Sequence, residues 1–242
     1  MRQFGLIGKK LSHSFSKNYF TEKFNLLGLD DHSYELFELS SIEQIKAVFE
    51  TKNIEGLNVT VPYKEDVIPY LDGLDQSAEK VKAVNVIKIT NGKNVGYNSD
   101  YIGFKNSLNN WLPQQYQGTA LILGTGGASK AVSCALSDLK IPYTFVSRKP
   151  TANEISYQEA SSLLPQAHLI INTTPLGMAP DTNTCPDLDF NQITSEHYLY
   201  DLVYNPEETL FLAKGKSKGA SIKNGLEMLH LQAEESWKIW NK

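Results

Sequence analysis

A short apolar run, Ala120-Leu121-Ile122-Leu123, opens directly into Gly124-Thr125-Gly126-Gly127-Ala128-Ser129 and then into a helical pattern. This order of strand, glycine turn and helix constrains the fold more than any other feature, because it is the placement expected of a dinucleotide-binding βα turn. Gly124 permits the tight turn and Gly126 lets backbone approach a pyrophosphate. Helix 128–139 aims its unpaired N–H groups and positive dipole end at the phosphates. Ser129 stands where a third glycine is common; it is small enough for close packing, and its hydroxyl can cap the helix or reach a phosphate. A turn that serves compactness alone is the competing reading. One strand further on the chain reads Ser147-Arg148-Lys149, where NAD enzymes carry an acidic residue for the ribose 2′-hydroxyl. Two cations and no carboxylate favour a 2′-phosphate, hence NADP, although each cation could also be a solvated strand end.

The 242 residues allow two domains, and a composition of 41% hydrophobic and 21% charged residues gives each a proper core. A net charge of -4 lacks the basic face that dedicated nucleic-acid binding needs. Cys134 and Cys185 are too few and too far apart for a disulfide framework or a metal knuckle, which fits a reducing compartment. The histidines, His13, His32, His168, His197 and His230, show no ligand spacing, so no metal is expected. No run approaches the roughly 20 apolar residues that cross a bilayer. The first residues read as a strand and not as a signal peptide, and a cytoplasmic protein without membrane contact is expected, as a monomer or homodimer.

Short apolar runs alternate with helical patterns throughout, the rhythm of an α/β protein. The first half predicts strand 3–8, helix 16–27 stopped by Gly28, strand 33–38, helix 41–51, strand 56–61, a short helix after Pro62, and a hairpin around Asn91-Gly92 at a sheet edge. Helix 101–112, ended by Pro113, connects to strands at 120–123, 143–146, 169–171 and 198–202. A short strand at 220–222 precedes the last helix, 224–240. The boundary falls near residue 103, giving domains 1–103 and 104–223, with the terminal helix 224–242 packing back on the first.

Three polar patches of the first half lie where strands end. In Ser12-His13-Ser14-Phe15-Ser16, the hydroxyls of Ser14 and Ser16 can meet a polyol or carboxylate, or Ser16 can simply cap the helix starting at Lys17. Asn58-Val59-Thr60-Val61-Pro62-Tyr63-Lys64 delivers Lys64 past a strand's carboxyl end, where ligands of open α/β sheets gather. A lysine there can exchange a proton with a substrate oxygen, though most lysines are solvated surface groups. Asn85 and Asp100 come at the hairpin and its exit; Asp100 can orient Lys64 by charge, or merely cap a helix starting at Tyr101.

Taken in order, these motifs together with Asn172-Thr173-Thr174-Pro175-Leu176-Gly177-Met178, Asp201-Leu202-Val203-Tyr204-Asn205-Pro206 and Asn224-Gly225-Leu226-Glu227-Met228 with Gln232 resemble the shikimate dehydrogenases over nearly the whole chain. The resemblance implies an N-terminal α/β substrate domain, a Rossmann-type NADP-binding domain, a cleft between them, and reversible NADPH-dependent reduction of 3-dehydroshikimate to shikimate. It implies Lys64 and Asp100 as the catalytic pair, and Ser14, Ser16, Thr60, Lys64, Asn85, Asp100, Tyr204 and Gln232 as substrate contacts. On the cofactor side it implies Gly124, Gly126, Gly127, Ala128, Ser129, Ser147, Arg148 and Lys149, with Thr173, Thr174, Leu202, Gly225 and Met228 toward the nicotinamide. Met228 on a helix is otherwise core. Two departures from the common pattern stand out: Lys17-Asn18 where many relatives have proline, and Lys149 in place of threonine. The chain is also short for the family, which suggests trimmed loops between Arg148 and Leu169. Alternatives are a quinate/shikimate dehydrogenase using NAD, a non-catalytic NADP-binding relative, and a tetrahydrofolate-linked dehydrogenase, which the serine pair and Gln232 disfavour.

Overall fold

The computed structural model describes residues 1–11 and 14–242; Ser12 and His13, named above, lie outside the described residues. The chain divides into two compact units, Met1–Ser99 with Gln232–Lys242, and Asp100–Leu231. Residues 226–231, the first turns of the last helix, therefore count with the second unit.

The first unit is built on a mixed six-stranded sheet. Its strands are β1 (Arg2–Gly8), β2 (His32–Glu38), β3 (Ile54–Val59), β4 (Gly73–Leu74), β5 (Val86–Thr90) and β6 (Lys93–Tyr97), in the order β2-β1-β3-β5-β6-β4. Strands β2, β1 and β3 run parallel, and β5 and β6 add antiparallel as the expected hairpin, whose Asn91 and Gly92 both have positive φ. The hairpin is one strand in from the edge, because the two-residue β4 pairs outside β6. Helix α1 (Phe15–Leu26) joins β1 to β2, and α2 (Ile45–Phe49) joins β2 to β3. Only this short helix and a preceding 3-10 turn form within the span 41–51 that the sequence predicts as helix. No helix follows Pro62 either: residues 61–67 make successive turns pinned by buried Tyr63, whose phenol donates to the Leu39 carbonyl at 2.7 Å, and a 3-10 turn comes only at Ile68–Tyr70. Helix α3 (Gln76–Val81) has no counterpart among the predicted elements.

Strand alternation divides the core of this unit between the two faces of the sheet. Ile7, Leu57, Val59 and Ile87 pack with Ile45 and Val48 on one side. Phe4 and Leu6 pack with Phe20, Phe24, Ala233, Ile239 and Trp240 on the other. Trp240 lies over Gly56, where an added Cβ would be 2.3 Å from the indole, and its Nε1 donates to the Ile87 carbonyl at 3.1 Å.

The second unit starts on helix α4 (Ser99–Trp111), of which Ser99 itself counts with the first unit, and has a fully parallel sheet. Its strands are β7 (Ala120–Leu123), β8 (Tyr143–Val146), β9 (Glu154–Ile155), β10 (Leu169–Asn172), β11 (Tyr198–Asp201) and β12 (Ser221–Lys223). Their order is β12-β11-β10-β7-β8-β9. Numbered within the unit this is 3-2-1-4-5-6 read from the far edge, the doubly wound Rossmann order. Helices α5 (Gly127–Asp138), α6 (Tyr157–Leu163) and α7 (Leu210–Ser217) are its crossovers, and α8 (Leu226–Trp240) follows β12. The central strands are apolar on both faces, as buried parallel strands must be. Leu121 and Leu123 face one core with Leu199 and Phe211, while Ala120 and Ile122 face another with Phe104, Val132 and Tyr200. No helix among the described residues is long and apolar enough to cross a membrane.

Candidate active-site residues

In each unit some of the residues singled out by sequence lie at strand ends beside the point where the strand order reverses. In the first, that point lies between β1 and β3. Thr60 leaves β3 with its N–H bonded to the Ile7 carbonyl at 2.9 Å, and half-buried Lys64 follows within the turns. The Lys64 carbonyl accepts from Val84 N–H at 2.7 Å, and Asn85 O accepts from Val59 N–H at 2.9 Å, so the segments carrying Lys64 and Asn85 are tied side by side.

On the β1 side, helix α1 begins one residue earlier than expected and Ser14 is its N-cap, accepting from Lys17 N–H at 3.3 Å. Ser16 is therefore not the cap; it sits in the first turn and bonds the Tyr34 phenol, which burial raises well above its ordinary pKa. Tyr34 donates in turn to Asn58 Oδ1 at 2.7 Å. Asp100 is likewise no cap, since α4 starts at Ser99; it lies in the first turn, where a carboxylate is favoured by the helix dipole. Asn85 holds that helix start: its Oδ1 accepts from Ser99 N–H at 2.6 Å and its Nδ2 donates to Ser99 Oγ at 3.0 Å. Ser99 Oγ also lies 3.4 Å from Gln232 Oε1.

In the second unit the strand order reverses between β7 and β10. Gly124 follows β7 at φ +104°, and a Cβ there would meet Thr174 Cγ2 at 2.9 Å, so only glycine fits. Gly126 caps α5, and Gly127 is its first residue; both are exposed with open space where a Cβ would stand, the clearance a phosphate needs. Ala128 follows in the first turn. The Ser129 hydroxyl does not cap the helix: it is buried and donates to the Gly126 carbonyl at 2.6 Å, which braces the loop from inside. Arg148 and Lys149 are exposed just past β8, and Ser147 Oγ accepts from Lys149 N–H at 3.3 Å.

Across from the glycine turn, Thr173 donates its hydroxyl to Leu123 O at 2.7 Å and Thr174 donates its own to Asn172 Oδ1 at 2.6 Å. Leu202 N–H is held by Asn172 O at 3.0 Å. Tyr204 is exposed, Gly225 is buried against Leu202, and Met228 packs in the core with Phe104 and Tyr200.

Sequence reasoning names Asp201 only as part of a motif and gives no role to this acid, which holds these loops. Asp201, fully buried at the end of β11, accepts from Asn172 Nδ2 at 2.9 Å, Val203 N–H at 3.0 Å and the Thr209 hydroxyl at 2.5 Å. Burial raises its pKa from 3.8 to about 6, against the pull of those three donors. A carboxyl raised by folding takes up a proton when the chain folds, so this group's penalty is full above pH about 6 and vanishes as pH falls to its ordinary 3.8. Urea unfolding should show the native protein gaining on an Asp201→Asn variant by about 1 kcal/mol between about pH 7.5 and about pH 5. Equal slopes for both proteins would contradict this.

Residues 6–87 match the family described as the shikimate dehydrogenase substrate binding domain. The shikimate dehydrogenase (NADP(+)) of Staphylococcus aureus strain Newman is 37% identical over 98% of this chain and 92% of its own length. The chain belongs to the shikimate dehydrogenase family. Among solved shikimate dehydrogenases, one from Peptoclostridium difficile is 37% identical with a TM-score of 0.82, covering 100% of this chain and 92% of that one. The Thermus thermophilus shikimate 5-dehydrogenase, solved with NADP(H) and shikimate, is 30% identical with a TM-score of 0.87, covering 99% of this chain and 93% of that one. The resemblance assigns no role to Tyr34, Asn58, Ser99 and Ser236, although Asn58 and Ser99 fall within its motifs; the four are buried polar groups bonded to one another, to Asn85 and to Gln232.

Proposed function

We infer that this chain reversibly reduces 3-dehydroshikimate to shikimate with NADP as the hydride partner, and that Lys64 and Asp100 are its catalytic pair. The observation that carries the activity is the 37% identity, over 98% of the chain, to an NADP-dependent shikimate dehydrogenase. The cradle fits the dinucleotide: Gly126 and Gly127 leave room beside a helix N-terminus, and Arg148 and Lys149 offer exposed cations to a 2′-phosphate. When bound, NADP supplies or accepts the hydride.

This chain's residues bind, orient and move the proton. Lys64 gives a proton to the substrate oxygen as the carbonyl is reduced and takes it back in the reverse direction. Asp100 orients the ammonium by charge. Ser14, Ser16, Thr60, Asn85, Tyr204 and Gln232 hold the hydroxyls and carboxylate of the substrate; Ser14 accepts through Oγ at the helix cap and so has its proton to donate. Thr173, Thr174, Leu202, Gly225 and Met228 form the nicotinamide side. A cytoplasmic monomer or homodimer with small-molecule partners completes the reading.

The deciding assay follows NADP reduction spectrophotometrically with shikimate and, separately, with quinate. Turnover with shikimate and NADP is expected, and binding of NADPH without shikimate-dependent turnover would sink the reading. The NAD-linked quinate alternative is disfavoured by the paired cations at 148 and 149. Arg148→Ala should raise KM for NADP about tenfold, the worth of one charged hydrogen bond, and leave KM for NAD unchanged. Equal effects on both cofactors would remove Arg148 from the 2′-phosphate site.

A further inference from the structure

We propose that Ser129 and Thr173 are positioning residues of the dinucleotide turn, whose hydroxyls hold its carbonyls inward so that its N–H groups meet the pyrophosphate. This deepens the functional reading above and rests on it. Both residues and the whole turn belong to the second unit.

The same arrangement occurs at each end of the turn. At its start, the Leu123 carbonyl accepts from Thr173 N–H at 3.0 Å and from the Thr173 hydroxyl at 2.7 Å. At its end, the Gly126 carbonyl accepts from Ser129 N–H at 3.1 Å and from the Ser129 hydroxyl at 2.6 Å. Carbonyl oxygens only accept, so each hydroxyl has its single proton committed to the turn and none to give to a phosphate. The backbone N–H bonds survive any substitution. In both pairs, however, the hydroxyl makes the shorter bond, and the Thr173 hydroxyl also reaches a carbonyl that its N–H does not, that of Gly124 at 3.5 Å.

A trans peptide points its C=O and its N–H in opposite directions, and the peptides of the turn are trans. Holding the Gly126 carbonyl against Ser129, which is 1% exposed, therefore aims the Gly127 N–H outward from the first turn of α5. Holding the Gly124 carbonyl aims the Thr125 N–H away from Thr173 in the same way. Thr125, Gly126 and Gly127 are exposed, so a pyrophosphate can approach on that side. The peptide that opens the turn is fixed at both ends, since Gly124 N–H bonds Val146 O at 2.9 Å. A carbonyl swung outward would instead set its negative end against the phosphate oxygens and spoil the concavity of N–H groups that an anion needs.

The test compares Ser129→Ala and Thr173→Ala with Thr173→Ser in the full chain. Kd for NADPH is read by its fluorescence, and Kd for two fragments by displacing it. One fragment, 2′-phospho-ADP-ribose, keeps the pyrophosphate and lacks nicotinamide; the other, adenosine 2′-monophosphate, lacks the pyrophosphate. Each alanine variant should weaken NADPH and 2′-phospho-ADP-ribose by about fivefold, and the two combined should weaken them more than either alone. Adenosine 2′-monophosphate should bind every variant as it binds the native chain, a selectivity that general loosening of the unit would not produce. Thr173→Ser keeps the hydroxyl and should bind NADPH within about twofold of native. Alanine variants that bind 2′-phospho-ADP-ribose as tightly as the native chain overturn the bracing role, whether or not NADPH weakens. So does equal weakening of all three ligands, or a Thr173→Ser variant as weak as Thr173→Ala. If one alanine variant does not fold, the other decides. Native protein that does not bind NADPH overturns the functional reading instead, so the two failures are distinct.

Discussion

Lys64→Ala is expected to lower kcat by about a hundredfold to ten-thousandfold while KM for shikimate changes by less than about tenfold. The loss belongs to the side chain alone, because the fold holds residue 64 through its backbone: its carbonyl accepts from Val84 N–H at 2.7 Å, and the turn is anchored by the neighbouring Tyr63. Truncation at this half-buried position leaves those bonds in place, so thermal stability should barely move. A second variant separates proton transfer from charge. Lys64→Arg keeps a cation, but guanidinium does not release its proton near neutral pH. If Lys64 is the acid, Lys64→Arg is as slow as Lys64→Ala; if it only stabilises developing negative charge, Lys64→Arg recovers much of the rate. Turnover within about threefold of the native value in Lys64→Ala would take the lysine out of the chemistry.

The second unit is more legible in the sequence than the first, for a physical reason. Strands buried on both faces read as unbroken apolar runs, and the glycine turn fixes where β7 ends and α5 begins. Helix α6 escapes notice even though Ser156 and Glu159 form a capping box, because its seven residues carry too little apolar periodicity to stand out. The turns after Pro62 read as helix because burial of Tyr63 and Val67 at helical spacing is also what consecutive turns produce. The predicted site residues are recognisable as polar groups at strand ends. The groups that hold them are not: Asn58 within a strand, Ser99 at a helix start, Ser236 within an amphipathic helix and Asp201 at a strand end look like ordinary polar residues until burial and partners are known. Ser129 shows the converse, a residue assigned to the ligand by its motif whose hydroxyl serves the loop.

Gly225→Ala is expected to destabilise the protein by about 3 kcal/mol and to raise KM for NADP about tenfold or more. The reason is space, since Gly225 has no positive φ and alanine could adopt its backbone conformation. A Cβ there would stand 2.1 Å from the Leu202 carbonyl oxygen and 2.7 Å from its carbonyl carbon. Backbone yields only if its own bonds yield, and this segment is fastened on every side. Leu202 N–H bonds Asn172 O at 3.0 Å, Val203 N–H bonds the buried Asp201 carboxylate at 3.0 Å, and Gly225 N–H bonds Val203 O at 3.2 Å. Relief of the clash must therefore push the strand end that carries Leu202, part of the proposed nicotinamide side, or lift the start of α8. Gly215→Ala is the control: its Cβ would be about as close, 2.2 Å, but to Leu199 Cδ2, the end of a side chain that can turn aside. Thermal melts should rank Gly225→Ala well below Gly215→Ala, and only the former should weaken NADP. If both variants melt together and bind NADP alike, the contact between Gly225 and Leu202 does not shape the cofactor site.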